Sequence, residues 1–292
     1  MDPARAALLV LAAAVSVNLG AALGKTLFGQ VGAEGMAALR TSFAALGLWL
    51  LVRPWRGGPV PRTRLGWLAA YGLTMGLMNL TVYWAIARIP LGLAVAIEIA
   101  GPLLLVLSLS RRKTDFLWLA LAVGGLSLLV PWPGAQERLD PLGLAFAVAA
   151  GTCWAGYIAL GKRVSGLGGA RSVAIGVVFA CMVTLPFGIG HAGAGLLAPH
   201  VLAWGAGVAL LSSMVPYVLE MKALAHLSAK TFGLVTSSAP AVAALAGFVV
   251  LGERLTGGQW LAIGLMMAAS AGAALSSRSE KAAPLPEEVP AA

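Results

Sequence analysis

Charge is what this sequence has least of. Only 11% of its 292 residues are Asp, Glu, Lys or Arg, roughly half of what a soluble domain carries. Cysteine is nearly absent as well. Cys153 and Cys181 both fall inside apolar stretches, which excludes a disulfide framework and a cysteine-based metal site and leaves them as small packing residues. Several motifs are missing: HExxH, GxSxG and the P-loop do not occur. A hydrolase therefore has no signature here, and neither does work driven by nucleotide bound to this chain.

What is present is apolar. Hydrophobic residues make up 59% of the chain, too many for its polar groups to cover, so lipid must be the solvent. The net charge of +9 is spread between long apolar runs with no continuous basic face, so it speaks for membrane topology and against nucleic acid. At about 20 residues per span, the runs predict helices at 6–27, 33–52, 65–87, 91–110, 116–133, 141–161, 172–190, 201–221, 231–251 and 257–277. The first is read as a retained span, not a cleaved signal. Ser172 to Leu219 contains no charged residue and is too long for one span; Gly190, Gly193, Gly195 and Pro199 supply the break.

Basic residues give the direction. Arg5, Arg53, Arg56, Arg62, Arg64, Arg111, Arg112, Lys113, Lys162, Arg163, Arg171, Lys222, Lys230, Arg278 and Lys281 all fall on one side. Both termini are therefore expected in the cytoplasm. The residues after Ser277, rich in Pro, Ala and Glu, are expected to form a disordered cytoplasmic tail, 278–292.

The two halves resemble each other. Ala22-Leu23-Gly24-Lys25 recurs as Ala159-Leu160-Gly161-Lys162, and Ala87, Ile89 and Pro102 recur as Ala225, Leu227 and Pro240. Five spans per half is an odd number, so the halves enter the membrane in opposite directions. The expected fold is an all-α integral membrane protein of ten transmembrane helices in a 5+5 inverted repeat, 1–137 and 138–277, an architecture of transporters.

Particular segments carry a closer likeness. Gly24-Lys25-Thr26-Leu27-Phe28, Ala38-Leu39-Arg40, Pro90-Leu91-Gly92 and Glu98-Ile99-Ala100-Gly101-Pro102 belong to it, as do Pro216-Tyr217-Val218-Leu219-Glu220-Met221, Thr231-Phe232-Gly233 and Leu251-Gly252-Glu253. With the ten-span plan, they resemble the drug/metabolite transporter superfamily, EamA type, and within it the bacterial threonine/homoserine exporters. The resemblance implies export of small amino acids across the cytoplasmic (inner) membrane by exchange with protons. It implies no cofactor and no metal. As partners it implies an amino-acid substrate, protons and the bilayer, and it is compatible with a homodimer. An exporter of another metabolite or a drug is the alternative; a membrane enzyme or a channel fits less well.

Ionisable groups inside a span cost about 2.5–3.5 kcal/mol on insertion scales, which makes them functional candidates. Arg40 and Glu98 interrupt the second and fourth spans, while their counterparts in the other half are the uncharged Val177 and Thr236. Both lie about 10 Å below the expected outer boundary. They either pair permanently or clamp a zwitterion, the guanidinium on its carboxylate and Glu98 on its ammonium. Pro102 frees the carbonyl of Glu98, and Pro102 and Pro240 are candidate hinges. Tyr71, Met75, Asn79 and Tyr83 form one stripe and Ser213, Tyr217 and Glu220 another. The expected substrate and proton site is Arg40, Asn79, Tyr83, Glu98, Tyr217 and Glu220. Interfacial anchoring is the other reading for Tyr71 and Tyr83, and an inner gate with Lys222 or Lys230 is one reading for Glu220. Lys25 is expected to snorkel outward, and His191 and His200 to be solvated loop residues.

Overall fold

Every regular element in the described parts is helical. The computed structural model describes residues 3–109, 113–129, 139–224, 226–227 and 229–276. The helices are α1 (Pro3–Thr26), α2 (Phe28–Val52), α3 (Arg62–Ile86), α4 (Leu91–Leu109), α5 (Lys113–Leu129) and α6 (Pro141–Val164). They are followed by α7 (Gly169–Ala192), α8 (Pro199–Ala209), α9 (Val215–Leu224), α10 (Ala229–Thr236), α11 (Ala239–Leu251) and α12 (Gly257–Ser276). The expected tail, 278–292, lies outside the described residues, as does the expected boundary between the halves at 137–138.

Among the described residues, eight stretches are long and apolar enough to cross a membrane: Ala4–Thr26, Phe28–Val52, Arg62–Ile86, Pro141–Leu167, Gly169–Leu197, Pro199–Ala223, Thr231–Leu251 and Gly257–Leu275. The spans expected at 91–110 and 116–133 are present as the shorter apolar helices Leu91–Leu105 and Phe116–Leu129. Large apolar side chains point outward around the bundle, Phe116 at 70% and Val249 at 75% exposure. In water such a surface would drive association; among lipid chains it is already solvated.

Without a strong hydrophobic drive between helices in lipid, close packing has to hold the bundle together, and small residues permit it. Gly101 of α4 lies against Gly151 of α6 so closely that a Cβ on Gly151 would sit 2.7 Å from the carbonyl oxygen of Glu98. The carbonyl that Pro102 frees is thus covered by helix backbone. The helix contacts come in matching sets. α2 packs along α7, α4 along α11 and α5 along α12. α3 lies on α6 as α1 lies on α9, and α4 lies on α6 as α1 lies on α11.

Several of the described helical segments depart from regularity. In α2, Gly32 takes φ 70°, a left-handed value suited to glycine, and the ring of His191 occupies the space a Cβ would need. Between α8 and α9 the chain makes a π-helical turn, Leu210–Met214. Pro240 lies inside the apolar stretch Thr231–Leu251, in the first turn of α11 after a break that follows Thr236; a first turn tolerates proline because the N–H groups there have no helical partner. Pro102, by contrast, is embedded within α4.

Polar contacts collect the loops at two ends. At one end Arg88 pairs with Asp140 at 3.0 Å, His200 meets Gln30 at 2.9 Å and His191 approaches Glu34 at 3.6 Å. The N–H of Leu142 and the Arg88 guanidinium hold the exposed Asp140 carboxyl below its usual range. At the opposite end Arg171 donates to the carbonyls of Pro54 at 3.1 Å and Gly57 at 2.8 Å, and also to that of Gly58.

Lys25 does not simply snorkel. Its Nζ lies 2.6 Å from Glu253 Oε1 and 3.4 Å from the Ile89 carbonyl, while Glu253 Oε2 accepts the N–H of Leu91 at 2.8 Å. One carboxylate therefore ties α1, α4 and the α11–α12 connection together. The side chains are 21% and 14% exposed, between the exposed and buried limits for ion pairs. Lys25→Met is expected to destabilise the protein by about 1–3 kcal/mol, with the double variant Lys25→Met, Glu253→Gln recovering part of that. Thermal unfolding in detergent reads this directly, and additive losses would show that the two groups do not interact.

Candidate functional site

A cavity of about 400 Å³ lies among α1, α2, α3, α4, α6, α7 and the α8–α9 segment. Arg40, Asn79, Tyr83, Glu98, Tyr217 and Glu220 are all in its wall. The two expected stripes both reach it, through Met75, Asn79 and Tyr83 on α3 and through Ser213, Tyr217 and Glu220. Tyr71 is not part of the lining; it is buried and stacks on Tyr157 with ring centroids 4.6 Å apart. Neither Tyr71 nor Tyr83 is an interfacial anchor, since both are buried, at 4% and 1% exposure.

Arg40 is held by the π-helical turn. Val215 donates its N–H back to Leu210, and the next residue, Pro216, has no N–H to give. The carbonyls of Leu211 and Ser212 then accept from side chains of other helices: Ser16 Oγ donates to Leu211 at 2.6 Å, and Arg40 Nη2 donates to Ser212 at 3.2 Å. Arg40 Nε completes the contact with Ser213 Oγ at 3.2 Å. Gly20 permits this arrangement, because a Cβ there would lie 2.9 Å from the backbone of Ser212. π-Turns of this kind occur disproportionately at functional sites.

Arg40 and Glu98 line the same cavity but form no ion pair within 4 Å. Among the described residues the Glu98 carboxylate has no hydrogen-bond partner either. A basic and an acidic side chain thus share one cavity with their mutual contact unmade. Glu220 makes no ion pair within the described residues; Lys222 is exposed, and the side chain of Lys230 lies outside them.

Other polar wall residues were not anticipated: Asn18, Thr41 and Ser212. Asn18 donates to Ala14 within α1 at 2.8 Å, and the hydroxyls of Thr41 and Thr184 meet at 2.6 Å to lock α2 on α7. Ser212 was findable. The rule that exposed the Glu98 carbonyl through Pro102 points equally from Pro216 to Ser212. Glu34 was missed because it lies at a helix end; it accepts the indole N–H of Trp84 at 2.7 Å beside His191.

Several known proteins resemble this chain, two of those named here along nearly its whole length. The threonine/homoserine exporter RhtA of Salmonella typhimurium is 44% identical over 273 residues, which cover 94% of this chain and 92% of the relative. The protein of that name from Escherichia coli K12 is 43% identical over 272 residues, or 93% and 92% of the two chains. The uncharacterized transporter YwfM of Bacillus subtilis is 27% identical over 162 residues, 54% of each chain. A solved crystal structure with 18% identity superimposes at a TM-score of 0.57 over 94% of this chain and 98% of the other, a likeness of fold alone. The model of the EamA-like transporter family matches residues 141–275. With its apolar helices and relatives of this length and identity, the chain is a multi-pass membrane protein and belongs to the EamA-like transporter family.

Proposed function

We propose that this protein exports small amino acids of the threonine and homoserine type from the cytoplasm in exchange for protons. The observation that carries the reading is the cavity shared by Arg40 and Glu98, which make no ion pair among the described residues. A zwitterion supplies the missing partner of each: its carboxylate takes the free face of the guanidinium and its ammonium takes the Glu98 carboxylate. When the substrate leaves, Glu98 accepts a proton in its place, so that proton and substrate compete for one group and must travel in opposite directions. The relatives named as exporters support the substrate class. Met75, Met78 and Trp154 in the wall favour a second reading, a different metabolite or a drug, because such linings are tolerant.

The purified protein in proteoliposomes, offered a panel of amino acids, is expected to move protons when threonine or homoserine is present on the opposite side. A panel that produces no substrate-linked proton movement would remove this function.

The matching sets of helix contacts support a 5+5 inverted repeat of ten spans with a hinge at Pro102 and another at Pro240. The basic residues favour cytoplasmic termini in the inner membrane. Reporter fusions at Gly195 and at the C-terminus are expected to report opposite sides; the same side for both would refute the arrangement.

A further inference from the structure

Two buried hydroxyls among the described residues have no hydrogen-bond partner, those of Tyr83 and Tyr217, and both residues line the cavity. Buried polar groups are satisfied almost without exception, so each unsatisfied one calls for an explanation. The two differ in setting. The Tyr83 ring lies under Arg40, 5.7 Å from Cζ, and its hydroxyl points at α1, 3.5 Å from where a Cβ on Gly24 would be. That hydroxyl belongs to the guanidinium end and is enclosed by helix. Tyr217 stands on another wall, from α9, packed against the cluster of Ala44, Leu48, Met75, Ala174, Val177 and Ala180. Asn79, also in the wall and only 8% exposed, donates its Nδ2 to the Met75 carbonyl at 2.8 Å, which leaves its Oδ1 as an acceptor.

We infer that Tyr217 selects substrates that carry a side-chain hydroxyl over aliphatic amino acids of the same shape. This rests on the amino-acid reading above. Threonine and valine differ by one hydroxyl in place of one methyl, and their zwitterionic ends are identical. Arg40 and Glu98 therefore cannot tell them apart. A ligand hydroxyl both donates and accepts, so it can give the Tyr217 hydroxyl the partner it lacks. With valine bound, the Tyr217 hydroxyl stays buried and unpaired. Sites built to hydrogen-bond a substrate hydroxyl discriminate steeply against analogues without it, whereas a purely apolar pocket separates such isosteres weakly.

The test is competitive transport of labelled threonine and valine by the full-length protein in proteoliposomes, for wild type and Tyr217→Phe. Wild type is expected to favour threonine by at least about tenfold, and the threonine-to-valine ratio is expected to collapse by about that factor in Tyr217→Phe. A ratio that stays within about twofold of wild type, whether or not the absolute rates fall, overturns the inference. Phe keeps the ring and removes only an unpartnered oxygen. If the variant is nonetheless not recovered folded, wild type alone decides, because equal transport of threonine and valine overturns the inference. A wild type that carries neither of them, nor homoserine, fails the amino-acid reading itself, which is a separate outcome.

Discussion

Glu98→Gln is expected to abolish accumulation of substrate against its gradient, a loss of at least about a hundredfold, while the protein stays folded. The amide matches the carboxylate in shape but cannot take up and release a proton. Because the Glu98 side chain has no hydrogen-bond or ion-pair partner among the described residues, no structural contact is broken by the change. Replacing an ionisable group in an apolar segment by a neutral amide removes part of the cost of placing a charge there, so the thermal midpoint in detergent should hold or rise. The variant's residual transport should also lose its dependence on pH. Substrate uptake driven by a pH gradient in proteoliposomes is the measurement. If Glu98→Gln still accumulates substrate uphill, the proton role passes to Glu220, the other carboxylate in the cavity wall.

A charge series at Arg40 has the second-largest expected effect. Arg40 spends two of its donors on Ser212 and Ser213 and keeps the remaining guanidinium donors for a ligand. Lysine offers a single point charge and cannot both hold the π-turn and grip a carboxylate in a bidentate way. Arg40→Lys is expected to weaken the apparent affinity for amino acid by about tenfold or more, with folded protein recovered at the wild-type level. Exchanging the charges, Arg40→Glu with Glu98→Arg, is expected to leave transport dead. A carboxylate at position 40 would confront the Ser212 carbonyl, acceptor against acceptor, and the cavity would present its charges to the zwitterion in reversed order. If the exchanged protein transports normally, the two residues are interchangeable members of a structural pair, and the substrate site lies elsewhere.

Much of this protein could be read from properties that are local along the chain. A run of about 20 apolar residues identifies itself without reference to any other segment, which is why the helical, multi-pass character was legible from composition and run length. An isolated charge within such a run is equally conspicuous, and Arg40 and Glu98 stood out for that reason. Their common cavity was less obvious. Equal depth in two helices brings two side chains level, but only the packing of α2 and α4 around α1, α3 and α6 decides whether they face one space.

The rest depended on partners distant in sequence. Lys25 and Glu253 are 228 residues apart, and each taken alone looks like a residue at a helix end seeking the interface. Trp84 and Glu34 are 50 apart. The Ser212 carbonyl becomes a ligand for Arg40 only because Pro216 frees it and Gly20 lets α1 approach. The sequence by itself determined the solvent, the helices and the few polar groups lodged among them, because transfer energies act residue by residue. Only the tertiary structure decided which of those groups are satisfied and which are left waiting, because a hydrogen bond or an ion pair is a property of two atoms a few ångströms apart, and one chain position alone does not specify its partner.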